Sequence, residues 1–235
     1  MTFIAHFSIS PRRLGALAKC AVGLLTLLAV PGCMVGTLVG GMAASAKRHG
    51  DHMVYTDYEG LSNKSFAAVV VADRVIEAEY AGLTATMMQR INNMIAEAHA
   101  QLPDGAIAAP NVDRMLRVLY ANPRWVAMPR QDVAKMLGVD RLIVVDLAVY
   151  RLHEPGNVHI WDGVAAGTVS VFEADGPMPD DAVYEKAITV TFPDGRGFMT
   201  TDLRFDVVNT ELSRRFSNRV AWLFFDHKEP NEIKY

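Results

Sequence analysis

Leu142-Ile143-Val144-Val145-Asp146-Leu147-Ala148-Val149-Tyr150 decides the fold class of this chain. Its first half is unbroken and β-branched, the pattern of a strand buried on both faces. From Asp146 polar and apolar residues alternate, as they do where a strand loses cover on one side. A doubly buried strand needs helices over it, and the flanking sequence supplies them. Upstream, Ser65-Phe66-Ala67-Ala68-Val69-Val70-Val71-Ala72 is a second Val-rich run. After it, Leu83, Met87, Ile91, Met94, Ile95 and Ala98 recur at three- and four-residue steps. They predict a helix with one apolar stripe, with Gln89, Arg90, Asn93 and Glu97 mostly off it. Pro103-Asp104-Gly105 is a turn signal, and Asn111 predicts the cap of a short helix carrying Met115, Leu116 and Leu119. Arg124 to Pro129 reads as a brief strand ended by proline, and Gln131 to Leu137 as a two-turn helix closed by Gly138. Downstream, Glu154-Pro155-Gly156-Asn157 marks a turn, and Val164 to Phe172 and Ala187 to Phe192 read as strands around a Gly176 to Asp181 loop. Val208, Leu212, Phe216, Val220 and Leu223 then set a last long helix. This order predicts an α/β fold with helices packed on a mixed β-sheet, as a two- or three-layer sandwich.

Ahead of this domain the chain has the parts of a bacterial export signal. Arg12, Arg13 and Lys19 form a positive region, Ala21 to Val30 an apolar core, and Pro31-Gly32-Cys33 follows. In this segment the chain resembles bacterial lipoprotein precursors, with Val30, Gly32 and Cys33 at the lipobox positions. Val30 stands where Leu is preferred, and Pro31 where Ala or Ser is usual. The resemblance implies a diacylglyceryl group on the Cys33 thiol, cleavage after Gly32, and a mature protein held by lipid on the periplasmic face of the cell outer membrane. The other cysteine, Cys20, lies within the segment that would be removed, so no intramolecular disulfide is expected. The competing expectation is a signal anchor, because no charged residue occurs between Ala21 and Ala46, a length sufficient to span a bilayer. Pro31-Gly32 would interrupt such a helix.

The expected organisation is a signal peptide over 1–32, a lipidated small-residue tether over 33–63, an envelope domain over 64–226 and a polar tail over 227–235. Loss of the leader removes Arg12, Arg13 and Lys19, leaving 20 Lys and Arg against 26 Asp and Glu, a formal charge of −6. That balance argues against nucleic acid as a partner, since phosphate binders carry a basic stripe. The basic pair Arg214-Arg215, within a helical pattern, reads as a solvated helix face.

Three short segments carry a second resemblance. Ala67 to Val71, Val126-Ala127-Met128-Pro129-Arg130-Gln131-Asp132-Val133, and Leu137-Gly138-Val139-Asp140-Arg141-Leu142-Ile143-Val144-Val145 look like the periplasmic lipoprotein domains of the curli-secretion and TolB amino-terminal type. The opening strand departs from that pattern, with Ala72-Asp73 where the family often has Pro-Phe. The likeness implies an α/β envelope protein that assembles, anchors or regulates other machinery, working with an envelope partner or as a homo-oligomer. It implies no catalytic residues and no cofactor.

The residues themselves offer little chemistry. His49 and His52 lack further ligands for a metal site. Glu173 and Asp175, and Asp180-Asp181, read as solvated carboxylates beside Pro-Gly loops. An alternative reading, a lipid-anchored hydrolase or small-molecule binder, would need His153, His159 or Asp162 within mutual hydrogen-bond reach near the strand ends. Trp222, Leu223, Phe224 and Phe225 crowd the end of the last helix. Trp222, Phe224 and Phe225 are therefore candidate partner contacts, with Trp161, placed in the loop after His159, as a further one.

Overall fold

The computed structural model describes residues 50–100, 110–195 and 197–231. The leader, Cys33, the small-residue collar, His49 and the Pro103-Asp104-Gly105 turn lie outside the described residues. In chain order the elements are β1 (Asp51–Val54), β2 (Phe66–Ala72), α1 (Arg74–Glu79), α2 (Leu83–Ala100), α3 (Val112–Ala121), a 3-10 turn (Pro123–Ala127) and α4 (Arg130–Leu137). There follow β3 (Arg141–Glu154), β4 (Asn157–Glu173), β5 (Ala182–Phe192), α5 (Phe205–Ala221), a second 3-10 turn (Trp222–Phe224) and β6 (His227–Pro230). Among the described residues no helix is long and apolar enough to cross a membrane.

The main sheet has the order β2-β3-β4-β5, with β2 parallel to β3 and the other pairs antiparallel. It is therefore a mixed sheet with helices packed on it, as the strand pattern predicts. A side chain added at Gly163 of β4 would meet Leu212, which places α5 on that face. The Arg130 guanidinium lies 5.8 Å over the Phe172 ring, on the opposite face by the strand's period of two, so α4 covers the other side. Helix α2 packs against β2 and α5. The first half of β3 is buried on both faces, and its exposure alternates after Asp146.

Sheet curvature is set by small residues. The register of β3 on β4 slips between Leu147 and Val149, and Gly167 sits against that bulge. A Cβ there would come within 2.3 Å of the Asp146 carbonyl oxygen, so only glycine allows the strands to close.

At the sheet's edge, β2 is buried from Phe66 to Val70 and needs a partner there for its outward amide groups. Asn92 of α2 supplies it. Its carboxamide oxygen accepts the Ala68 N–H at 2.9 Å, and its amide donates to the carbonyls of Ala68 at 2.8 Å and of Met88 at 2.7 Å. One side chain thus imitates a neighbouring strand and locks helix to sheet.

Several elements differ from the sequence reading. Residues 124–127 lie within a 3-10 turn rather than a strand, because Pro123 starts the turn and Asn122 accepts the Trp125 N–H at 2.9 Å. Helix α1 is additional, capped by Asp73, whose carboxylate accepts the Ile76 N–H at 2.8 Å. Strands β4 and β5 begin earlier than their apolar runs, so Trp161 stands in a strand and not in a loop. The folded part also reaches beyond 64–226: β1 and β6 form a two-stranded sheet, and Leu61 is in the core. Four-residue strands are too short to show a period.

By contacts the chain divides into two units. Of the first, residues 50–52 and 230–231 are described; there the His52 Nδ1–H donates to the Asn231 carboxamide oxygen at 3.0 Å. The second unit spans 53–229 and contains the main sheet and its helices.

Candidate functional site

Buried charges come first, because they are where chemistry would be expected. Arg141, at the start of β3, donates from Nε to the Gly60 carbonyl at 3.1 Å, pairs with Asp175, and lies 3.5 Å from Glu173. The Tyr58 hydroxyl donates to the same Glu173 carboxylate at 2.9 Å, and burial together with that bond pushes the phenol up to about 12. Glu173 and Asp175 are thus not idle solvated carboxylates; they fasten the 58–60 segment to the sheet. Asp180 accepts the Gln131 N–H at 2.9 Å and caps α4 from a distant loop.

Arg215 also departs from expectation. Read from sequence as part of a solvated face, it is 7% exposed. Its guanidinium forks onto Asp194, bonds Glu211 at 2.9 Å and the Thr191 carbonyl at 3.1 Å, and lies 4.6 Å over the Phe192 ring. The carboxylates one turn back in α5 and just beyond β5 explain why this cation can be buried. Arg214 bonds Glu211 as well.

The residues of the hydrolase alternative are not brought together. Asp162 pairs with Arg151 at 3.0 Å, and His153 Nδ1 faces the Ile160 carbonyl at 3.2 Å while its ring stacks on Trp161. No hydrogen bond links His153, His159 and Asp162 among the described residues. The described residues also contain no group of three or more His, Cys, Asp or Glu able to hold a metal.

A cavity of about 890 Å3 lies where the last turn of α2 meets the Tyr55 to Ser62 segment and the turn after α5. The carbonyls at the end of α5 need donors. Leu223 O finds three, from the backbone of Asp57 at 3.0 Å and Tyr58 at 3.1 Å and from the Thr56 hydroxyl at 3.0 Å. Asp226 returns the tie by accepting the Thr56 N–H at 2.9 Å. Of the four aromatic contacts named from sequence, Phe224 and Trp161 are buried at 1% and 4% exposure and so are unavailable to a partner. Phe224 packs edge-on against Tyr58, and the Trp161 indole N–H donates to the Leu203 carbonyl. Trp222 and Phe225 remain half-buried in the cavity wall. Trp222 stacks on His227 at 4.7 Å and carries Arg219 at 5.6 Å from its ring centre. Arg219 and His227 both contact the buried Glu229 carboxylate, at 2.6 and 2.8 Å.

No protein-family model matches the chain. No curated protein matches it. Among solved structures, the fold is similar to the PelC dodecamer from Paraburkholderia phytofirmans, at 11% identity and a TM-score of 0.38 over 74% of this chain and 98% of that one. Lipoprotein GNA1162 from Neisseria meningitidis gives 8% identity and a TM-score of 0.39 over 67% and 97% of the two chains. Protein XCC0632 from Xanthomonas campestris gives 11% and 0.33 over 72% and 83%. Likeness this distant says nothing of what the present chain does.

Sequence reasoning named Trp222, Phe224 and Phe225 in this region but missed the rest of the cavity. Tyr55 to Ser62 lacks a period and reads as linker, and nothing local shows that it will cap the end of a helix more than 160 residues away.

The acid side of the stability profile tests the Arg141 cluster. A hydrogen bond from Lys64, then one from Arg141, holds the Asp175 carboxyl down to about 2. An ordinary Asp titrates near 3.9. The folded form therefore binds the proton later than the unfolded form. The carboxylate's contribution is complete above about pH 4 and fades as pH falls towards 2. Asp175→Asn should lower the unfolding free energy measured in urea modestly at pH 6, by less than about 1 kcal/mol for a side chain this exposed. The gap from wild type should close between pH 4 and 2. A constant gap across that range would show that the pairing contributes nothing.

Proposed function

We propose that this chain is a lipid-tethered envelope protein whose mature part is a non-catalytic assembly or regulatory subunit. The observation that carries the reading is Cys33, set directly behind a basic and apolar leader. The geometry supports it from the other side: the buried and half-buried charges of the domain are spent on holding elements together. Arg141 fastens the 58–60 segment, Arg215 fastens the turn after β5, and Glu229 gathers Arg219 and His227. Groups invested in this way stabilise a scaffold and are poorly placed for proton or group transfer. The half-buried Trp222 and Phe225 give such a subunit an aromatic surface at one end.

The test is fractionation of cells expressing the full chain and its Cys33→Ser variant. The wild type should remain with membranes through a high-salt wash and partition into detergent. The variant should lose that partitioning, a reduction of about tenfold or more, since a diacyl anchor contributes about 0.8 kcal/mol per buried methylene. Equal membrane retention of both proteins would favour the signal-anchor alternative.

A further inference from the structure

The main sheet has two edges, and they end differently. Asn92 of α2 closes the β2 edge. The β5 edge is open. Just past β4, the Ala174 N–H donates to the Asp140 carbonyl at 2.9 Å, so even-numbered residues along β4 turn their amide groups to β3 and odd-numbered ones to β5. The partners of those odd residues, Lys186, Ile188 and Val190, therefore face β4, and Glu185, Ala187 and Thr189 face outward. Among the described residues nothing bonds the backbone N–H or carbonyl of these three. The Thr191 carbonyl, next in the same row, is taken by Arg215.

An open edge accepts a further strand, and proteins commonly guard one with a bulge, a proline or a projecting lysine. From Glu185 to Phe192 the register of β5 on β4 is unbroken and the strand holds no proline. The Lys186 ammonium is bound to Asp57.

Two side-chain features say what fits. On the α5 side a cavity of about 240 Å3 opens beside Lys186 to Thr189, with Val54, Ile188, Trp222 and Leu223 in its wall. Its charges are matched internally, Lys186 to Asp57 and both Arg219 and His227 to Glu229, which suits the space to an apolar side chain. On the other face Glu185 stands exposed, without an ion pair among the described residues. An added strand gains by setting a basic residue against it. A second copy of β5 cannot do so. Symmetric antiparallel pairing sets odd-numbered residues against odd-numbered ones, and Val183, Glu185, Ala187, Thr189 and Thr191 include no base.

We propose that the β5 edge is a docking site for an extended segment of another protein, added antiparallel. The segment carries a lysine or arginine opposite Glu185 and an apolar residue three positions earlier, over the cavity. Backbone pairing supplies affinity and the two side chains supply selectivity. The proposal is independent of the lipid tether, and its failure would leave the tether reading untouched.

The probe is the peptide Thr-Val-Thr-Val-Lys-Thr, amidated and labelled with a fluorophore at its amino end. It is titrated into the full-length protein in mild detergent, and binding is followed by polarisation and by amide exchange. It should bind saturably and slow exchange of the Ala187 and Thr189 amides. Methylating the backbone nitrogen of its third residue, which faces β5, should weaken binding by about tenfold or more; methylating that of its fourth, which faces away, should change it little. Glu185→Lys should weaken this peptide and favour the version with glutamate in place of lysine. The proposal is overturned if the two methylated peptides bind alike, if the charge reversal does not exchange the preference, or if no saturation appears in the millimolar range. Protection of the Ala187 and Thr189 amides that grows with protein concentration in the absence of peptide would assign the edge to a second copy and overturn it too.

Discussion

Replacing Asn92 with leucine is expected to lower the stability of the domain by about 3 kcal/mol, roughly 10 °C in Tm for a domain of this size. The effect is large because the substitution harms two elements at once. Ala68 has its N–H and carbonyl turned away from β3, and Asn92 is the partner of both. Leucine fills a similar volume but leaves a donor and an acceptor unsatisfied in the buried part of β2, at about 1–3 kcal/mol for each such group. Asn92→Asp separates packing from hydrogen bonding. It keeps the shape and the acceptor, loses both donated bonds, and adds a buried charge, so it should cost at least as much at pH 7. Urea unfolding of both variants supplies the midpoints, and amide exchange adds a local readout. In the wild type the Ala68 amide should exchange only on global unfolding; in Asn92→Leu it should exchange orders of magnitude faster than its neighbours in the β2–β3 ladder. An unchanged midpoint would mean that β2 does not depend on this contact.

Arg215→Met should cost a comparable amount, about 2–3 kcal/mol. Removing one partner of a buried pair typically costs 3–5 kcal/mol; the lower figure applies because the Asp194 carboxylate is about one-third exposed and water can recover part of its solvation. The variant keeps the apolar stem over Phe192 but loses the fork onto Asp194 and the bond to the Thr191 carbonyl. Arg215→Lys should restore less than half of the loss, since an ammonium cannot make the bidentate contact. In Arg215→Met, adding Asp194→Asn should recover stability, because the stranded charge then disappears. That sign reversal in a double-mutant cycle distinguishes a specific ion pair from a generic packing effect. Additive losses would show that Asp194 and Arg215 act separately.

These two side chains also mark how far the sequence could be read. The Val-rich runs of β2 and β3 and the apolar steps of α2 and α5 reveal their elements, because burial imposes a period that single residues display. Asn92 was recoverable in part: with Met88 and Ile95 it lies on the buried side of α2, and a polar residue on an apolar stripe signals a buried hydrogen-bonding role. Its target, Ala68, carried no signal. Arg215 was misread because two adjacent arginines look like surface charge. Only the spacing of four from Glu211 hinted at a pair, and Asp194 comes from another element. The short β1 and β6 were hidden for want of length. The cavity was hidden because its walls come from segments far apart in the chain.

The central claim, a lipid tether at Cys33 carrying a non-catalytic domain, is tested most directly by the mass of the amino-terminal peptide of protein purified from membranes in mild detergent. The account predicts a peptide that begins at Cys33 and carries a diacylglyceryl group, with residues 1–32 gone. An unmodified Cys33 within an intact leader would contradict it.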